Sequence, residues 1–164
     1  MNNIEKEIAL LQENLEMLRK LFGWSAEQLG KRLGVTKQTI LNLEHGKLVM
    51  SKIQYIAIRA VFETEANSRD DEEKKNLLTI MDLVFNNANK LSEEKRKDAL
   101  DTAKVLANAT ILSKDKAMVT KTMAGTLAGM GIAVSTLIPI VGAGVAAGSL
   151  TAWLMDMLKA ENDK

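Results

Sequence analysis

Apolar residues fall at Ile4, Ile8, Leu11, Leu15, Leu18 and Phe22, four and three apart in alternation. Such spacing keeps them on one stripe of an α-helix. It predicts a long amphipathic first helix, which either packs on its own chain or joins a second copy as a short coiled coil. A second pattern runs from Trp24 to Gly46 and reads as two short helices joined by a tight turn. Ser25 suits an N-cap, and Leu29 and Leu33 follow on one face. Gly34 suits a left-handed helix stop, Val35 and Thr36 make the turn, and Thr36 caps the next helix. Ile40 and Leu43 form the inward face of that helix, which Gly46 ends. Leu29, Leu33, Val35, Ile40 and Leu43 lock the two helices together, leaving Lys37, Gln38, Leu41, Asn42 and His45 outward.

Beyond Phe62 the pattern changes. Glu63 to Lys75 is polar and charged, and reads as a linker or a frayed helix start. Leu77, Leu78, Ile80, Met81, Val84 and Phe85 predict a helix that is apolar over a wide face, ended by Asn86 to Asn89. Ser92 caps a further helix, with Glu93 and Glu94 at the positive end of its dipole. Ala99, Ala103, Leu106, Ala107 and Ile111 give that helix a narrow stripe of small residues. Thr122 to Met155 then carries no charge, and Pro139 divides it almost centrally. Arms of about sixteen residues on either side would fold as an antiparallel hairpin with Lys121 and Asp156 at its base. Gly125/Gly129 and Gly144/Gly148 are spaced four apart, which suits close helix–helix packing. Two readings stand for 117–164: association with membrane lipid through 117–158, or burial in a soluble oligomer. Each arm is short for a bilayer core of about 30 Å.

Charge changes the picture through its distribution. The chain has 22 Lys and Arg against 21 Asp and Glu, a net +1, yet Leu15 to Glu63 has eight basic residues and four glutamates, a local +4. A basic surplus on the two-helix segment is the footprint expected of a phosphate-backbone partner. With no cysteine and one histidine, disulfides and His/Cys metal clusters are excluded. No phosphate-cradling glycine loop follows a strand, so neither an enzyme nor a cofactor is expected. The opening Met1 to Lys6 lacks the basic-then-apolar order of a signal peptide. A cytoplasmic protein is expected, held at the inner face of the cell membrane if the hairpin meets lipid.

Ser25, Leu29, Leu33, Gly34, Val35, Thr36, Thr39, Ile40, Leu43, Glu44 and Gly46 together resemble the Cro-type, lambda-repressor-like helix-turn-helix family. The resemblance covers about Leu15 to Glu63, with Ser51 to Phe62 matching the family's fourth helix. Ala26 stands where the family usually has a phosphate-binding glutamine, and Gly30 replaces a small alanine. The Lys47 to Met50 loop is more apolar than is usual. With one proline, few aromatics and abundant Leu, Ala, Lys and Glu, the chain is expected to be all-α, in three parts. A helix-turn-helix domain of about five helices spans 1–63, a charged linker and middle helical pair span 64–116, and a glycine-rich apolar hairpin spans 117–164.

The resemblance implies a sequence-specific transcriptional regulator, a repressor, that puts helix 36–45 into the major groove of double-stranded DNA. Carried over by position, Lys37, Gln38, Leu41 and Asn42 would meet base edges. Thr36, Thr39 and Lys47 would hold phosphates, and His45 would face DNA or solvent. A homodimer or higher homo-oligomer is expected, because one weakly basic module needs a second half-site. The competing reading is a membrane-active or scaffold protein whose hairpin acts, with the helix-turn-helix as a regulatory or protein-binding module.

Overall fold

A computed structural model describes residues 3–85, 92–113 and 115–130. These residues form seven α-helices: α1 (Asn3–Leu21), α2 (Ala26–Leu33), α3 (Lys37–Glu44), α4 (Lys52–Asn67), α5 (Asp71–Phe85), α6 (Glu93–Leu112) and α7 (Lys116–Gly129). No strand occurs among the described residues, and the fold is all-α. Four helices, rather than about five, occupy the stretch up to Asn67.

α1 sits at the centre. Its expected stripe is buried at Leu11, Leu15 and Leu18, each 0% exposed, by α3 and α4 of the same chain. The adjoining flank is buried as well: Asn14, Met17 and Leu21 are covered, with α5 and α6 packed on the same helix. The stripe therefore serves the chain's own core, and the coiled-coil alternative loses its seam. Each such leucine contributes about 1.5–3 kcal/mol by leaving water. Burial on two sides supports a helix this rich in charge over 19 residues.

α6 lies against α1 rather than chiefly against α5. Its alanine stripe, Ala99, Ala103 and Ala107, is fully buried, and short side chains let the two backbones approach closely. Polar contacts clasp the edges: Lys20 Nζ donates to Asn108 Oδ1 at 2.8 Å, and Lys104 lies 3.6 Å from Glu13. Ser92 is the N-cap, as its sequence position predicts, and accepts from Lys95 N–H.

The expected linker is mostly helix. α4 runs through Asn67 and α5 starts at Asp71, leaving only 68–70 between them. Charge orders this stretch instead of loosening it. Arg69 reaches back to Glu65 at 2.7 Å and forward to Glu73 at 3.5 Å, and Asp70 Oδ1 accepts from Glu73 N–H. Asp71, Glu72 and Glu73 then fill the first turn of α5, where the helix dipole favours acids.

A buried polar chain ties α1, α4 and α5. The Tyr55 hydroxyl donates to Glu7 Oε2 at 2.8 Å and accepts from Arg59 Nη1 at 3.1 Å. Arg59 Nε donates to Glu63 Oε1 at 2.8 Å, and its guanidinium lies 5.1 Å from the centre of the Phe85 ring. Burial is the main reason the Tyr55 phenol is pushed well above its ordinary range, so it stays a donor. Arg59 also rises: its tyrosine and glutamate partners outweigh burial, the largest single effect and an opposing one.

α7 packs between α5 and α6, with Leu127 fully buried. The helix begins at Lys116, before the uncharged run, and stops at Gly129; the rest of the expected arm towards Pro139 lies outside the described residues. Lys121 meets Glu72 at 2.9 Å; Asp156, its expected neighbour, lies outside the described residues. Gly125 and Gly129 are exposed, and a Cβ at either would touch nothing within 4 Å. Close approach at these two glycines is absent among the described residues, and Gly144 and Gly148 lie outside them. No described helix is long and apolar enough to cross a membrane.

Glu63→Ala strands the buried Arg59 charge and should lower unfolding free energy by about 3–5 kcal/mol. The pair replacement Arg59→Met with Glu63→Leu should recover most of that loss. Urea melts of the three proteins check both expectations.

Candidate nucleic-acid interface

The turn between α2 and α3 is built by caps. Ser25 accepts from Gln28 N–H, and the Gln28 side chain accepts from Ser25 N–H, a reciprocal capping box. Gly34 ends α2 with φ 70°, a left-handed conformation that strains any residue with a Cβ. Thr36 then caps α3, its Oγ1 accepting from Thr39 N–H at 3.1 Å. Ser51 repeats the capping box with Gln54 at the start of α4.

Gly30 has a steric reason that its sequence position conceals. Val35 N–H donates to Gly30 O at 2.9 Å, drawing the turn onto the middle of α2. A Cβ on residue 30 would lie 2.7 Å from Val35 O, closer than atoms tolerate. Here the usual alanine has become a glycine because the turn is seated so tightly.

Two clamps from α1 hold α3. Arg19 grips Glu44 through both Nε and Nη2, the latter at 2.9 Å, while Nη1 donates to Trp24 O at 2.8 Å. The Gln12 amide donates to Leu43 O at 3.0 Å and Leu48 O at 2.6 Å, and accepts from Met50 N–H at 2.8 Å. Asn42 O accepts from Lys47 and Leu48 N–H at 2.8 and 3.1 Å. All of these bonds but the one to Trp24 O end on α3 or the loop that follows it. Gln12 was missed by sequence reasoning; its only signal is a polar residue beside the Leu11/Leu15 stripe, with a long amide suited to a loop backbone.

An aromatic cluster supports the other side. Phe22, Trp24 and Phe62 lie with ring centres 4.8 to 5.4 Å apart, and Arg32 sits 4.2 Å over Trp24. The residues expected inside sort into two grades: Leu29, Ile40 and Leu43 are buried, whereas Leu33 and Val35 are half-buried.

The residues expected outside divide too. Thr36, Lys37, Gln38, His45 and Lys47 are exposed, while Thr39 and Asn42 are half-buried. Leu41 is half-buried and packs against the core, so its expected fully outward place is corrected: part of its surface already has a protein partner. His45 is the C-cap of α3, at the far end from Lys37 and Gln38. Gln38 Nε2 donates to Asn42 Oδ1 at 2.9 Å.

Charge is arranged around the same helix. Each of the four glutamates in 15–63 meets one base: Glu44 meets Arg19, Glu16 meets Lys20, Glu27 meets Lys31, and Glu63 meets Arg59. Hydrogen bonds from Lys20 and Lys31 are the leading reason that Glu16 and Glu27 sit below the usual carboxylate range. Beyond these four pairs, Arg32, Lys37 and Lys47 precede, open and follow α3 in the chain.

Residues 15–53 match the family model described as helix-turn-helix. This segment is a Cro-type helix-turn-helix. The match takes in the last part of α1, all of α2 and α3, and the first residues of α4. The family is one of DNA-binding regulatory domains, and the match covers about a quarter of the chain. No curated protein and no solved structure gives a significant match to the chain. Among the described residues no group of His, Asp or Glu is placed to hold a metal ion.

Gly30→Ala should force the turn off α2 and cost about 1–3 kcal/mol by overpacking. A thermal melt that left Tm unchanged would show that the turn is less tightly seated than described.

Proposed function

We propose that the protein is a sequence-specific transcriptional regulator, a repressor, that reads double-stranded DNA with the N-terminal half of α3. One observation carries this reading. Lys37 and Gln38 stand exposed on the helix whose opposite face, Ile40 and Leu43, is buried, and the surplus cations border that helix. Gln38 would pair with adenine, and Lys37 with guanine or a phosphate. Thr36, Thr39 and Lys47 would meet the backbone, which fixes register without reading sequence. Repression follows from occupancy, since a protein seated in the groove excludes others from the same site. A cytoplasmic location accords with access to DNA.

The reading includes a dimer. A surplus of four charges gives weak binding from one copy, and two half-sites multiply effective affinity. The first-helix stripe is occupied within the chain, so the contact lies elsewhere. Leu48, Val49 and Ile53 are 44%, 87% and 79% exposed, on the loop after α3 and the start of α4. Beside Ile53 runs an apolar groove lined by Leu33, Val35, Ile40 and Ala57. A surface carrying both a knob and a groove suits a two-fold contact with a second copy, and its place beside Lys47 sets two recognition helices on one duplex.

Gln38→Ala should cost about 1–3 kcal/mol at one base pair, while Lys47→Ala should weaken all sequences alike and lower the salt slope by about 1. Titrations on a selected site and on mixed DNA at several salt concentrations check this. An unchanged base preference in Gln38→Ala would remove α3 from the groove.

Val49→Asp with Ile53→Asp should leave the melting profile intact, give a monomer in light scattering and abolish preference for paired half-sites. A wild-type chain that is monomeric both free and on DNA would defeat the dimer.

A further inference from the structure

We infer that Asn42 is the positioning residue that makes Gln38 select adenine over guanine. The inference rests on the groove reading above and goes beyond it by naming what sets the discrimination.

A primary amide offers one acceptor oxygen and two N–H donors. In α3 the Gln38 Nε2 already donates one of those hydrogens to Asn42 Oδ1, one helical turn on, at 2.9 Å. What remains for a base is one N–H and the Oε1 oxygen. That remainder matches adenine, whose major-groove edge has the N7 acceptor and the N6 donor. Guanine presents two acceptors, N7 and O6. To satisfy both, Gln38 would have to turn both N–H groups to the base and release Asn42. Held as it is, Gln38 sets Oε1 against O6, acceptor against acceptor. Asn42 thus removes the donor that a guanine would need.

Asn42 is suited to act as a fixed post. Its side chain is half-buried where that of Gln38 is exposed. Its backbone oxygen accepts from Lys47 and Leu48 N–H, and Gln12 anchors Leu48 O in turn. The residue therefore sits on a turn held from α1. A glutamine alone on a helix surface samples many rotamers and loses that freedom when it binds. Bonded to Asn42, it meets the base with less to lose, so the bond contributes to affinity as well as choice.

The test uses the full chain and duplexes that vary one base pair at a time around a selected site. Wild type, Gln38→Ala, Asn42→Ala, Asn42→Asp and the double variant Gln38→Ala/Asn42→Ala are titrated, each checked by thermal melting. Asn42→Ala should lower the adenine-over-guanine preference about fivefold at the base pair that Gln38→Ala identifies, and at no other, a part of what a bidentate pair supplies. Asn42→Asp keeps an acceptor oxygen and should retain that preference while binding all DNA more weakly through its added charge. The double variant should match Gln38→Ala.

An Asn42→Ala effect at a different base pair, additive with Gln38→Ala, would mean that Asn42 reads a base itself and would overturn the inference alone. Loss of the preference in Asn42→Asp, or its full retention in Asn42→Ala, would also overturn it. A Gln38→Ala protein with unaltered preference would overturn the groove reading and this inference together.

Discussion

Arg19 leaves the last turns of α1 and closes on Glu44, whose side chain is 1% exposed. A buried ion pair of this kind is a weak source of net stability, because desolvation offsets most of the attraction. Its effect is geometric. The guanidinium is planar and bonds Glu44 through two nitrogens while a third reaches Trp24 O, so two bonds fix the end of α3 against α1 and the third steadies the guanidinium itself. Gln12 lies seven residues earlier, two turns away on the same face of α1; it bonds Leu43 O in α3 and makes two more bonds to the loop that follows. The recognition helix is thus located by α1 at its C-terminal end, while the Thr36 cap and the turn seated on Gly30 locate its start.

Because α1 is also the helix on which α5 and α6 pack, the recognition helix and the C-terminal helices are referenced to one rod. The alanine stripe of α6 makes that second contact close, and closeness makes it unforgiving: an interface without long side chains has little room to readjust. Asn14 lies within α1, fully buried, with its amide donating to Leu10 O and its oxygen without a hydrogen-bond partner. An orphaned acceptor in a core costs stability. The packing around α1 is therefore tight without being optimal.

The helix-turn-helix was legible because its signals are local. Ser25, Thr36 and Ser51 cap the helices that follow them, and Gly34 turns where a left-handed residue is required. Leu29, Ile40 and Leu43 carry the period. The misread parts depend on distant partners. Glu63 to Lys75 looks like a linker in sequence because charge usually means solvent; here Glu63 is buried against Arg59, and Arg69 joins two helix ends. The second buried face of α1 is hard to read, since the polar Asn14 stands between its apolar positions Leu10, Met17 and Leu21. Gly30 looks like a weakness until Val35 O is placed over it. Lys37 and Gln38 were legible as outward residues, whereas Leu41 was not half-hidden by any rule of spacing. The hydrogen bond between Gln38 and Asn42 could be foreseen as an i, i+4 contact, but not its consequence.

Electrostatics and specificity meet in the same few residues. With its four glutamates each paired to a base, the 15–63 segment keeps a net charge of +4. An excess of this size gives only a modest non-specific attraction to a phosphate backbone. Such a protein does not stay on arbitrary DNA for long, so discrimination has to come from base edges rather than from the backbone. The side chains available for that work are short in supply: Leu41 is partly committed to the core and His45 stands at the wrong end of the helix. Lys37 and Gln38 remain, and a lysine is a rotating point charge that distinguishes bases poorly. On the proposed reading, the orientation of one amide, Gln38, thus carries much of the sequence information this helix can express.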